Sequence, residues 1–176
     1  MKIFKFLLAL LLVATVSACG TSGALVPGSK RNFEPSLAIK SASVSWIGDK
    51  PIRISSGSRG EDISYQSSKF VSDLSAEFRE RAPTEISKGF LLSGVGQGKD
   101  ALLTLQPVFG SFGKYTVLNA GGGYVIIQAI LTEQSTSRVL WQAEFKVFGE
   151  FGESKGPLLM PFVNSVISEL KLSNRI

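Results

Sequence analysis

The chain has 176 residues, one cysteine and no histidine, so few of its side chains could do chemistry. Cys19 is the only thiol. Glu150 and Glu153 lie in the run Phe148-Gly149-Glu150-Phe151-Gly152-Glu153 and could act as paired carboxylates. Ser111 and Lys114 have the Ser-x-x-Lys spacing of an amine-activated serine. Neither arrangement is complete. Ser-x-x-Lys catalysis works from a helix start with companion motifs that this chain lacks, and glutamates in a glycine-rich turn are ordinarily solvated. Zinc sites, Ser-His-Asp and Cys-His pairs need residue types that are missing. The turn Gly94-Val95-Gly96-Gln97-Gly98 has a phosphate-loop look, but Asp100 follows Lys99 where a serine or threonine would hold magnesium, and Ser93 replaces the first glycine. Lys99 also occupies the place of the last glycine of a dinucleotide fingerprint. The expectation is a chain that is not an enzyme, with no catalytic residues, no metal and no cofactor.

What remains is Cys19 and its surroundings. Lys2 and Lys5 make a short basic start, Phe6 to Val16 is apolar apart from Thr15, and Val16-Ser17-Ala18-Cys19 closes the run. That order is a secretory signal. These eleven residues, ten of them apolar, make a helix of roughly 16 Å, and a bilayer span takes around 20 residues, so the run is read as a processing signal. Its end resembles the lipobox of bacterial lipoproteins, whose peptidase cuts before a cysteine carrying diacylglycerol. The resemblance implies that Val16, Ser17 and Ala18 fill the minus-three to minus-one positions and that Cys19 becomes the lipidated amino terminus. One acyl chain holds a protein reversibly and two or more hold it stably. Gly20 stands where, by the same resemblance, an aspartate would mark inner-membrane retention. The implied location is therefore the outer membrane, lipid-anchored and facing the periplasm.

Cleavage before Cys19 leaves 158 residues, enough for one domain with a sizeable core. Losing Lys2 and Lys5 lowers the formal charge from +5 to +3, and the other basic residues form no long run. A nucleic-acid footprint needs a clustered basic face with interleaved aromatics. None is present. The expected organisation is a signal peptide at 1–18, a lipidated terminus and flexible tether at 19–36, rich in glycine and proline with Leu25, Val26 and Phe33 able to dock, and a single domain at 37–176.

Within that domain Leu37 to Ile47 alternates, with Ala42, Val44 and Trp46 against three serines, as in a half-buried strand. Residues 48–66 read as a long loop with room for one short strand at Ile52 to Ser55. Ser67 or Ser68 can cap a helix with Phe70, Val71, Leu74 and Phe78 on one face, ended by Pro83. Ile86 to Ser93 is the place for a short strand. Ala101, Leu103, Leu105, Phe109, Tyr115 and Val117 share odd numbering, but Pro107 and the glycines at 110 and 113 suggest a bulge beyond which that register need not hold. The strands Tyr124 to Glu133 and Val139 to Phe148 form a hairpin. With Glu133 opposite Val139, the inner pairs are Leu131 with Trp141, Ala129 with Ala143, Ile127 with Phe145 and Val125 with Val147. A helix from about Leu159 to Leu172 closes the chain, with Pro161 in its first turn.

The expected fold is α+β, a two-layer sandwich of a mainly antiparallel sheet of about four strands with two helices on one face. The strand Asp100 to Phe109 before a long hairpin, the Gly-aromatic stretch 148–152 and a helix holding Phe162 to Ile167 resemble small YajG-type outer-membrane lipoproteins. That resemblance supports an accessory or assembly role through binding another envelope component. The alternatives are an envelope-polymer hydrolase or transferase using the carboxylates or Ser-Lys, and a lipid-binding auxiliary component of an envelope transport system. For the first reading the candidate partner surface is the uncovered sheet face carrying Tyr124, Ile126, Ile130, Leu140 and Phe148. Serine cannot form the thioether, so Cys19→Ser is expected to leave an uncleaved or misplaced precursor that incorporates no palmitate analogue. Labelling that survives the substitution would refute the assignment.

Overall fold

The computed structural model describes residues 23–32, 39–48, 52–56, 61–92, 98–113 and 121–173. Four main strands, β3 (Ile39–Trp46), β5 (Lys99–Gly113), β6 (Gly122–Glu133) and β7 (Val139–Glu150), are joined by three short ones: β1 (Ala24–Leu25), β2 (Arg31–Asn32) and β4 (Arg53–Ser56). The sheet runs β1-β7-β6-β5-β3, with β2 also on β7 and β4 also on β5. It is mixed, because β3 and β4 lie parallel to β5 while every other pair is antiparallel. The sheet is thus larger than the four expected strands. Helices α1 (Glu61–Leu92) and α2 (Gly156–Leu172) cover one face, giving the α+β sandwich.

The β6–β7 hairpin has the expected inner pairs, Leu131–Trp141, Ala129–Ala143, Ile127–Phe145 and Val125–Val147, all fully buried. One detail differs. Thr132, rather than Glu133, stands opposite Val139, and the register shifts between Leu131 and Thr132. The extra residue is Leu140, which is buried beside Trp141. A bulge places two consecutive side chains where strict alternation would separate them.

β5 is a single 15-residue strand with a register shift between Pro107 and Phe109. Its buried positions change from odd numbers up to 107 to even ones, Gly110 and Phe112, after it. Proline cannot donate to a ladder, so the pairing slips there. Phe109 therefore leaves the expected inner set. Tyr115 and Val117 lie outside the described residues, as do Gly94 to Gln97 of the glycine-rich turn.

α1 departs most from expectation. It begins at Glu61, before Ser67 and Ser68, and continues through Pro83 to Leu92, where a short strand was expected. No glycine or proline interrupts 61–82, and once nucleated a helix adds one bond per residue. Proline inside a helix costs about 3 kcal/mol. Beyond it Ile86 and Phe90 are buried, and each such side chain contributes about 1.5–3 kcal/mol. Burial offsets the break. Phe70, Leu74, Phe78, Ala82, Ile86 and Phe90 are all buried at a spacing of four. At 3.6 residues per turn each step advances the stripe by about 40°, so it winds from the sheet toward α2. Phe78 meets Trp46 of β3 edge-on with ring centroids 5.9 Å apart and stacks on Phe162 of α2 at 5.3 Å. Near the end of the helix, a Cβ on Gly89 would stand 2.5 Å from Ile167 Cδ1.

α2 starts three residues before the expected Leu159, with Pro157 in its first turn, so Pro161 falls in the interior. Burial of Leu159, Phe162, Val163, Val166 and Leu170 holds the helix on the sheet.

The expectation of a free tether does not hold for residues 23–32. β7 would otherwise be an open edge with unpaired backbone groups. Gly23 N donates to Lys146 O at 2.9 Å and Val26 N to Glu144 O at 2.8 Å. At the turn between β1 and β2, the Glu144 N–H donates to Ser29 Oγ at 3.1 Å, so a side chain completes the ladder. Lys30 pairs with Glu169 of α2 at 3.0 Å. Gly23 has φ +90°, and a Cβ there would lie 2.6 Å from Phe162 Cα. Only glycine fits that seat.

Trp141 is fully buried on the inner face, and Trp141→Ala is expected to cost about 3–5 kcal/mol. Denaturant titration checks this, and a loss below about 1 kcal/mol would contradict the packing.

Candidate functional site

The face of the sheet away from the helices carries the candidate partner surface. On this face the chemistry changes along the strands. At the end where β5 finishes and β6 begins, Phe109, Tyr124 and Phe148 form a cross-strand ladder. Phe109 and Tyr124 have ring centroids 6.3 Å apart, and Tyr124 and Phe148 5.5 Å. Tyr124 and Phe148 are direct register partners, and Phe109 is paired with Ile126, diagonal to Tyr124. Lys146 Nζ lies 4.9 Å from the centre of the Tyr124 ring, within reach of a cation–π attraction. Phe148 is 40 % exposed, and Tyr124, Ile126 and Ile130 are half-buried.

Toward the other end the face turns polar. Gln128 Nε2 donates to Glu144 Oε1 at 3.4 Å, and Gln134 Nε2 donates to Ser43 Oγ at 3.0 Å. Ser41 Oγ donates to Asp100 Oδ1 at 2.5 Å. Glu133 closes the same end from the helix side of the sheet, in register with the buried Ala101. Its carboxylate, 6 % exposed, pairs with Lys99 at 2.6 Å and Arg138 at 3.5 Å, and accepts from Thr136 Oγ1 at 2.7 Å and Ser135 Oγ at 3.2 Å. Hydrogen bonds from Lys99 and then Thr136 hold its pKa down at about 2.

Of the five residues expected on the surface, Tyr124, Ile126, Ile130 and Phe148 share it. Leu140 does not: it is 0 % exposed, because the bulge turns it into the core. Phe109 belongs to the surface and was missed, since the odd register assigned it inward. Pro107 is the sequence signal for that reversal. Cys19, Val16, Ser17 and Ala18 lie outside the described residues, as does Lys114.

Glu150 and Glu153 are both exposed, at the end of β7 and in the turn after it. Lys155 in that turn is buried, its Nζ 2.7 Å from Glu150 O and 4.0 Å from the Phe70 ring centre. Burial is the main cause pushing its pKa down, and the side chain ties β7 to α1 where α2 begins. Among the described residues no three acidic or cysteine side chains gather as a metal site. An open groove of about 710 Å³ runs between α1 and the β4 edge, lined by Ile52, Ile54, Val71, Ser75, Arg79 and Pro107 among others. Between sheet and helices, Trp141, Phe145, Phe162, Phe78 and Phe70 fill the space that a lipid cavity would need. No described helix is long and apolar enough to cross a membrane.

No family model matches the chain, and no curated protein matches it. Among solved structures it is similar to the PelC dodecamer from Paraburkholderia phytofirmans in two crystal forms. One comparison has 11 % identity over 87 % of this chain and 98 % of the other, with a TM-score of 0.40. The second has 12 % identity over 88 % and 99 %, with a TM-score of 0.33. It is also similar to the lipoprotein GNA1162 from Neisseria meningitidis, at 14 % identity over 75 % of this chain and 99 % of that one, with a TM-score of 0.32. Likenesses at this level transfer no function.

The Glu133 cluster generates a pH prediction. The folded pKa of about 2 lies below the ordinary 4.5, so the stability it contributes is present above pH 4.5 and lost as pH falls from there through 2. Glu133→Gln is expected to flatten that part of the stability profile, measured as denaturant midpoints from pH 6 to 2. A wild-type acid slope in the variant would contradict it.

Proposed function

We propose that this chain is a lipid-anchored, non-catalytic envelope protein, held in the outer membrane through Cys19 and facing the periplasm. It acts as an accessory or assembly factor by binding another envelope component on the open face of its sheet. The observation that carries the reading is the aromatic and aliphatic ladder, Phe109, Tyr124, Ile126 and Phe148, on a face over which neither helix lies. Apolar and aromatic side chains gathered on an uncovered face suit a contact site. Membrane attachment rests on the lipobox Val16-Ser17-Ala18-Cys19 after an apolar run, and the outer membrane on Gly20. The order of elements resembling YajG-type lipoproteins agrees with this role. The missing histidine and free thiol, the filled interior and the exposed glutamates favour binding over catalysis or lipid carriage.

Charge on the ladder's neighbours tests it. Ile126→Glu with Ile130→Glu is expected to keep the fold by circular dichroism and to abolish partner crosslinking in intact cells. Retention of every partner with unchanged melting would rule out this face.

A further inference from the structure

The docking of residues 23–32 fixes how the domain can stand on its anchor. Gly23 is hydrogen-bonded to Lys146 and packed on α2, and only four residue steps separate it from Cys19. Four extended residues reach at most about 14 Å. The polar layer on each side of a bilayer's hydrocarbon core is itself about 5–8 Å thick. A body whose nearest fixed point lies that close cannot stand clear of the headgroups by more than about 6–9 Å.

The chemistry at that end fits such a position. Ala24 is the cross-strand partner of Lys146, Phe148 lies two residues further along β7, about 7 Å away, and Tyr124 pairs with Phe148. On the helix side, Pro161 O would be 2.9 Å from a Cβ on Gly23, and the neighbouring Met160 is 43 % exposed. Phe148 and Met160, 40 % and 43 % exposed, both adjoin the chain's entry point, while Leu172, 70 % exposed, ends α2 away from it. The opposite end holds the Glu133 ion cluster and serines 41, 43 and 45.

Resting on the reading of Cys19 as lipidated, we infer that the envelope component met by this end is the membrane itself: Tyr124, Phe148 and Met160 seat in the lipid interface, with Lys146 at headgroup level. Tyr124 suits the interface because its ring is apolar and its hydroxyl wet, Phe148 and Met160 gain by leaving water, and a lysine stem can lie along apolar groups while its ammonium stays in water. Exposed Glu150 and Glu153 share this end, so the seat is apolar and aromatic rather than basic. It does not require anionic lipid. The middle of the face, around Ile126 and Ile130, is left for another component.

The test uses the full chain, acylated at Cys19, in phosphatidylethanolamine–phosphatidylglycerol vesicles. With Cys19 acylated no other thiol competes, so Phe148→Cys, Met160→Cys and Ser43→Cys each take one spin label at an exposed position. Labels at 148 and 160 are expected to be more accessible to oxygen than to an aqueous nickel chelate, with the order reversed at 43. Circular dichroism checks each fold, and the two seat positions test the inference independently. Aqueous accessibility at both 148 and 160 on acylated protein overturns the seat alone. Shielding from both reagents marks a protein contact and also overturns it. Absence of acyl chains on Cys19, read by mass, overturns the anchoring and the seat with it.

Discussion

The structure depends on keeping one face of the β6–β7 pair dry. Eight side chains in four apolar pairs, from Val125–Val147 to Leu131–Trp141, make a continuous floor on which α2 rests, while α1 packs against α2 and over β3, β4 and β5. A one-residue slip would send every one of them to the opposite face. Phe145 meets Phe162 of α2 edge-on with ring centroids 6.0 Å apart, and Phe162 in turn stacks on Phe78 of α1. The helices are thus fixed to the hairpin and to each other through one chain of rings. α1 tolerates Pro83 because the apolar residues on both sides of it belong to this core.

A dry floor also dictates what happens at the sheet's edge. β7 carries much of the core and cannot leave its outer backbone groups unpaired without inviting another strand. Residues 23–32 answer that need with two short strands, a serine side chain at the turn between them and the Lys30–Glu169 pair. A sequence of this glycine and proline content reads as a tether by composition. Composition does not reveal that an edge elsewhere in the chain needs covering. The same hydrogen bonds that protect the edge hold residues 23–32 on the folded body.

Legibility followed periodicity. The hairpin was readable because alternation held on both strands and could be checked pair against pair. It failed only at Leu140, where a bulge adds a residue that alternation cannot announce. In β5, Pro107 did announce the irregularity, but which side Phe109 takes depends on pairing with Ile126 across the bulge. α1 was half legible. Its first apolar turns were visible, while the part beyond Pro83 was hidden because a local rule about proline was outweighed by tertiary burial of Ile86 and Phe90. Of the surface residues, those on regular stretches were placed correctly and those beside bulges were not.

The open face carries its aromatic and aliphatic side chains without a pocket. Side chains on a sheet shield one another, so Tyr124, Ile126 and Ile130 are half-buried with nothing above them. Cross-strand aromatic contacts contribute to sheet stability, which allows rings to stand on this face without a second layer. The most exposed ring on this face is Phe148, and Met160 stands round the rim from it. If the rings served only pairing, nothing would require them to gather beside the point where the chain enters from Cys19. The polar end, with Glu133 held by Lys99 and Arg138, shows that the same strands support charge equally well. The chemistry therefore changes along the strands while the backbone pairing does not, with aromatic rings toward one end and ion pairs toward the other.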